Sequence, residues 1–222
     1  MIYILNIETA TRNCSIALSQ NGIIIACKEI AEAGYSHAEK LHVFIDEILK
    51  ESKLTFKDLS AIAISQGPGS YTGLRIGVSA AKGLCYSLDI PLIAVDTLEI
   101  LARKLNIENG IIIPMIDARR MECYTAIFNS KFEKIREVKA EIIDENSFQE
   151  ITETIHFVGD GVVKCKDVLT DKKFVYHDEI MFPSANEMSK IAYDKYKKND
   201  IVDVAYFEPF YLKDFIMTVS SK

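Results

Sequence analysis

Two short runs, Ile2–Ile7 and Gly110–Ile116, are almost wholly apolar and rich in β-branched residues. Runs of that length and make-up read as strands buried on both faces. A sheet built on such strands must be covered by helices, which confines the chain to the α/β class. The first run is followed by strand-like Cys14–Leu18 and Gly22–Ile30, joined by the turn residues Gln20-Asn21-Gly22. A helix over 36–51 comes next; Ser36-His37-Ala38-Glu39 fits a capping box, and Leu41, Phe44, Ile45, Ile48 and Leu49 form its apolar stripe. Strand Ala61–Ser65, a glycine-rich loop, a helix over 72–88, strand Leu92–Val95 and a helix over 97–105 complete the series. After the second run, strands are expected through Cys123–Phe128 and 132–143, then short pieces through 155–175 and a helix over 184–198. Three strands followed by alternating helix and strand thus occur twice, the second copy truncated, with domains at 1–104 and 105–222. The aromatic stretch Tyr206–Phe215 is expected to pack back on the first domain.

Charge and cysteine content narrow the setting. The net charge is −6, so the chain lacks the basic surplus needed to hold nucleic acid by itself. No apolar stretch is long enough for a bilayer, and no basic residue precedes the first apolar run as in a signal peptide. The five cysteines, Cys14, Cys27, Cys85, Cys123 and Cys165, are widely spaced with no CxxC pair. They read as reduced, mostly packed thiols of a cytoplasmic protein.

The loop Gly67-Pro68-Gly69-Ser70-Tyr71-Thr72-Gly73-Leu74-Arg75-Ile76-Gly77 lies between a buried strand and a helix. Free amides at a helix start favour anions, but the loop has neither the GK[ST] ending of a P-loop nor GxGxxG spacing. On spacing alone, a tight strand-to-helix turn accounts for it. The helix that follows is more unusual. At 100° per residue, Leu74, Val78, Ala81, Cys85 and Leu88 share the side that faces a sheet. Gly73, Ile76, Ala80, Gly83 and Ser87 lie opposite without a charge, and Arg75, Lys82 and Tyr86 form one flank. Each glycine inside a helix costs about 1 kcal/mol against alanine, which close approach by another element would offset. Two covers are open: a partner helix, or the chain's own aromatic tail.

This loop, with Ile7-Glu8-Thr9-Ala10-Thr11, Asp117-Ala118-Arg119-Arg120 and Glu208-Pro209-Phe210-Tyr211-Leu212-Lys213, resembles the TsaB (YeaZ) family over essentially the whole length. Departures are small: Glu8 stands where the family usually has Asp, Lys213 where Arg is frequent, and His42-Val43 where Leu-Pro is common. The resemblance implies the actin, Hsp70 and sugar-kinase fold, two domains built on a β-β-β-α-β-α-β-α unit. It implies a non-catalytic subunit in N6-threonylcarbamoyladenosine formation on tRNA, next to the anticodon. By the same resemblance, the direct partner would be TsaD, with the ATPase TsaE associated. ATP and a metal belong to those partners, tRNA is met only through the complex, and the chain is expected to self-dimerise when TsaD is absent. The family's paired helices map to 36–51 and 72–88, giving Gly73, Ile76, Gly77, Ala80, Gly83, Ser87 and His42 as partner-facing residues. Glu8, Thr9, Thr11, Asp117 and Arg119 would be junction or residual nucleotide contacts.

Other chemistries fit poorly. Nucleotide-handling members of the fold carry D-x-G-T after the first strand; Glu8-Thr9-Ala10-Thr11 puts a methyl group where backbone should approach phosphate. A D-x-G-G turn in the second half is replaced by Asp117-Ala118-Arg119-Arg120, and Gly159-Asp160-Gly161 reads as a turn or a remnant adenosine loop. A kinase or ATPase is therefore disfavoured. A metallopeptidase is too: His37 and His42 diverge by about 140° on a helix, whereas paired ligands want i, i+4 spacing. No G-x-S-x-G elbow marks a serine nucleophile.

Overall fold

A computed structural model describes residues 1–32 and 37–213. In the first half, β1 (Tyr3–Glu8), β2 (Asn13–Gln20), β3 (Ile23–Ala31), β4 (Ala61–Ser65) and β5 (Leu92–Val95) form one sheet of order β3-β2-β1-β4-β5. The first three strands are antiparallel, and β4 and β5 run parallel to β1. Asn21 and Gly22 take φ of 50° and 82° in the β2–β3 turn, the left-handed pair that matches strand twist. The helices are α1 (His37–Glu51), α2 (Tyr71–Leu88) and α3 (Thr97–Ala102). Ser36, the expected cap of α1, lies outside the described residues.

The second half repeats the plan. Strands β6 (Ile111–Asp117), β7 (Glu122–Asn129), β8 (Lys134–Ile142), β9 (Ile155–Val158) and β10 (Phe174–Tyr176) lie in the order β10-β9-β6-β7-β8. Relative to its central strand, this sheet has the same antiparallel and parallel pairings as the first. Where the first copy has α2, the second has only a 3₁₀ segment at Asp160–Cys165, so it is truncated as expected. Two sheets of one topology, each carrying helical cover, make the actin-like α/β fold.

The helices do not respect a cut at residue 104. The last helix, α4 (Ala185–Lys197), was expected to finish the second copy. Instead it packs on the first sheet, where Ala185, Met188, Ile191 and Ala192 meet Ile4, Ala17, Ala61, Ala63 and Ile93. Conversely, α3 turns Leu98, Leu101 and Ala102 into a core with Ile112, Ile116 and Phe128 of the second sheet. Leu98, Ile100, Leu101 and Ala102 are all buried. A helix so largely apolar must be enclosed, and the space between the sheets encloses it, leaving Glu99 at its margin paired with Arg103.

Candidate functional site

The turn between β1 and β2 is gripped by the start of α2. Ser70 donates its amide to the Ala10 carbonyl at 2.6 Å, and Thr9 Oγ1 donates to the Gly73 carbonyl at 2.8 Å. Ser70 caps α2 by accepting the Gly73 amide at 3.3 Å. A methyl group on Gly69 would lie 2.2 Å from the Ala10 oxygen, one on Gly73 2.1 Å from the Thr9 oxygen, and one on Gly77 2.2 Å from Thr9 Oγ1. The glycines therefore serve contact between two parts of one chain. His37, at the start of α1, closes the same turn, with Nε2 2.8 Å from the Thr11 carbonyl. Its ring is buried, and that desolvation holds it below the ordinary histidine range.

Two expectations are corrected here. Gly73 and Gly77 belong to the buried side of α2, against Thr9, and are not presented to a partner. Glu8, Thr9 and Thr11 are buried, at 0%, 0% and 5% exposure, because the glycine loop and His37 sit over them; they are not open junction contacts. Glu8 Oε1 accepts the Ala10 amide at 2.5 Å, while Oε2 is buried without a partner. Burial pushes its carboxyl up to about 8, against the opposing pull of the Ala10 amide and Ser65. Burial thus disfavours the charged carboxylate that a metal–phosphate site of this fold would use.

The corresponding turn of the second half stays open. Asp117, Arg119 and Arg120 are exposed. Asp117 accepts the Arg119 amide at 2.8 Å, pairs with Lys164, and donates its own amide to Asp160 at 3.0 Å. Arg119 and Arg120 take φ of 73° and 51°, the backbone that glycine would adopt in a D-x-G-G turn. Gly159-Asp160-Gly161 packs directly on β6, since a methyl group at Gly159 would lie 2.2 Å from the Met115 oxygen. It is a packed turn.

The tail docks along one flank of α2. Phe210 donates its amide to the Gln66 carbonyl at 2.7 Å, and Lys82 Nζ donates to the carbonyls of Ala205 and Phe207 at 3.1 and 2.9 Å. Tyr211 packs against Tyr71 with ring centroids 5.0 Å apart and planes tilted by 39°, and the Tyr71 ring lies 4.4 Å beneath the Arg75 guanidinium. Lys213 pairs with Glu122, tying the tail to β7; the last two residues of the expected stretch, Asp214 and Phe215, lie outside the described residues. Arg75 and Lys82, with which the sequence marks one flank, are thus the tail's anchors. That pairing across the chain leaves no periodic signal in the sequence.

The face beside that flank is uncovered. Thr72, Ser79, Gly83 and Ser87 are exposed and Ile76 and Ala80 half-buried; on α1, His42 and Val43 are exposed as well. A methyl group built on Gly83 meets nothing within 4 Å. Beside it, between α2 and the tail, runs an apolar groove of about 580 Å³ lined by Lys82, Gly83, Tyr86, Asp203, Val204 and Ala205. His42 is far from the buried role of His37, and among the described residues no group of three or more His, Cys, Asp or Glu is placed to hold a metal.

Comparison with known proteins decides the family. A protein of Escherichia coli named tRNA threonylcarbamoyladenosine biosynthesis protein TsaB is 32% identical over 95% of this chain and 94% of its own length. The chain belongs to the TsaB family. A TsaB of Bacillus subtilis is likewise 32% identical, over 95% of this chain and 93% of its own. The sequence model of the wider family, described as TsaD: tRNA N6-adenosine threonylcarbamoyltransferase, matches residues 31–207. A solved structure titled YeaZ from Pseudomonas aeruginosa superposes with a TM-score of 0.84 at 23% identity, covering 96% of this chain and all of that one. The TsaB assignment and the actin-like fold agree with the sequence reading. Among the described residues, no helix is long and apolar enough to cross a membrane.

Proposed function

We propose that this chain is a non-catalytic subunit of the cytoplasmic assembly that forms N6-threonylcarbamoyladenosine on tRNA, and that it docks TsaD through the exposed face of α1 and α2. The observation that carries this reading is Gly83. Gly73 and Gly77 have an internal partner in Thr9, but Gly83 has nothing beside it. A glycine in mid-helix costs about 1 kcal/mol, and close approach of another helix backbone offsets that cost. The uncharged neighbours Ile76, Ser79, Ala80 and Ser87 suit such an approach, and His42 and Val43 extend the face onto α1. When TsaD is absent, the same face pairs two copies of this chain.

The chemistry falls to the partners. The β1–β2 turn, where phosphate would sit in a kinase of this fold, is filled by Thr9 and Ala10 packed on the glycine loop. TsaD then carries the transfer and its metal, TsaE the ATP, and tRNA is held through the complex. Gly83→Arg tests the reading. Arginine is favourable on an exposed helix face, so the chain should melt normally when dilute. A wedged or desolvated guanidinium should weaken TsaD capture by at least about 100-fold, roughly 3 kcal/mol, and abolish modification in a reconstituted reaction. Normal capture by Gly83→Arg would reject the interface, and modified nucleoside made by this chain alone would reject the non-catalytic role.

A further inference from the structure

The chain has six arginines, and three of them are held by their own surroundings. Arg103 pairs with Glu99, Arg136 pairs with Glu141, and Arg75 lies over the Tyr71 ring. The other three, Arg12, Arg119 and Arg120, are exposed, and among the described residues none of them forms an ion pair. They stand at equivalent places in the two halves. Arg12 is in the turn between β1 and β2, Arg119 and Arg120 are in the turn between β6 and β7, and β1 and β6 are the central strands of their sheets. The two turns also come near each other. Asp117 donates its amide to Asp160 at 3.0 Å, and burial raises the Asp160 carboxyl while Arg12 and Lys164 oppose that rise. The carboxylates there do not use up the arginine charge, because Asp117 is paired with Lys164 and Asp160 is engaged by the Asp117 amide. Arg119 and Arg120 also hold φ of 73° and 51°, a backbone suited to glycine. Like charges side by side on a strained turn oppose folding, and strain of this kind belongs to sites that use it.

We propose that Arg12, Arg119 and Arg120 form a contact site for the phosphate backbone of RNA. The proposal rests on the reading above in one respect: the RNA is the tRNA that the assembly modifies. Guanidinium groups grip phosphate oxygens through paired N–H donors, and such contacts position a nucleic acid without reading its sequence. The geometry favours an extended backbone over a nucleotide. The glycine loop closes the first turn, with the Ser70 amide on the Ala10 carbonyl, so a nucleotide phosphate cannot settle against that backbone. Exposed side chains on two neighbouring turns can instead reach a strand passing over them. Three phosphate contacts on a chain of net charge −6 give little affinity by themselves, so the site acts when other subunits already hold the RNA.

The double variant Arg119→Gly/Arg120→Gly suits the test, because glycine fits the backbone at both positions. Binding of an unmodified tRNA transcript to the assembly of this chain with TsaD and TsaE is followed by fluorescence anisotropy between about 50 and 200 mM salt. The variant should bind at least about tenfold more weakly, with a slope of log affinity against log salt smaller by about 1.5–2. Arg12→Gln should lower the slope by about 0.7–0.9. Capture of TsaD should be unchanged in both. With the full chain alone at low salt, NMR of the arginine Nε–H groups should show Arg12, Arg119 and Arg120 shifting with the same transcript while Arg103 and Arg136 stay. An unchanged slope, or shifts at these arginines with ATP and none with the transcript, would overturn the proposal. Loss of TsaD capture in the double variant would overturn it too, since the arginines would then be a protein contact. Failure of the wild type to capture TsaD would count against the docking face alone, and the arginine signals of the isolated chain then decide.

Discussion

The hydroxyl of Thr9 donates to the carbonyl of Gly73 across 2.8 Å, and the space a side chain would need at Gly73 is filled by the Thr9 oxygen 2.1 Å away. One residue of the β1–β2 turn thereby fixes the start of α2. The signature loop of this family is, in this chain, a packing joint.

Alanine at Gly73 or Gly77 should consequently damage the fold. At Gly73 the obstacle is the Thr9 backbone oxygen, which cannot give way, so overpacking should cost about 3 kcal/mol or more. At Gly77 it is the Thr9 hydroxyl, whose displacement breaks its bond to the Gly73 carbonyl. Alanine at Gly83 should do the reverse and stabilise the dilute monomer by about 0.5–1 kcal/mol. Thermal melts of the three variants, with TsaD capture for Gly83→Ala, check the contrast. Equal effects at Gly73 and Gly83 would show that the joint is absent.

Glu8 should make stability depend on pH. Its carboxyl is raised from 4.5 to about 8 in the folded chain, so the native state keeps a proton that the unfolded chain gives up. Stability from this group is fully present below about pH 4.5 and falls as pH rises, levelling off above the folded value near 8. Glu8→Gln keeps an acceptor for the Ala10 amide and removes the titration. Relative to that variant, the wild type should lose about 3–5 kcal/mol between pH 4.5 and 8. Urea unfolding of both proteins across this range gives the difference, and parallel curves would show that Glu8 is ionised in the fold.

The turn at Arg119 and Arg120 carries backbone strain. Both residues sit in the left-handed region, at φ of 73° and 51°, which costs a non-glycine residue roughly 1–2 kcal/mol. The hydrogen bond from the Arg119 N–H to Asp117 Oδ1 is kept when glycine replaces the arginine. Arg119→Gly and Arg120→Gly should each stabilise the chain by about 0.5–1 kcal/mol after the entropy of the unfolded glycine is counted. Denaturant midpoints that fall instead would show that the arginine side chains make contacts the fold depends on.

Much of this protein is local, and the local part was legible. The apolar β-branched runs at Ile2–Ile7 and Gly110–Ile116 became the central strands β1 and β6, because a strand dry on both faces must lie inside a sheet. The wheel of α2 correctly put Leu74, Val78, Ala81 and Cys85 inside, since helical periodicity belongs to the sequence itself. The four motif segments were enough to place the chain in its family. What the sequence left open were choices between distant segments. Gly73 and Gly83 look alike on a helical wheel, yet one abuts Thr9 and the other faces open space. Whether Ala185–Lys197 covers the first or the second sheet depends on which apolar face is still uncovered when that helix arrives. Glu8 is hydrophilic in sequence yet fully buried in the structure, where its carboxyl is pushed above the ordinary range because the surrounding layers leave it no water. Periodicity and turn chemistry act over a few residues and are written in the chain; burial and close approach arise only when remote segments meet.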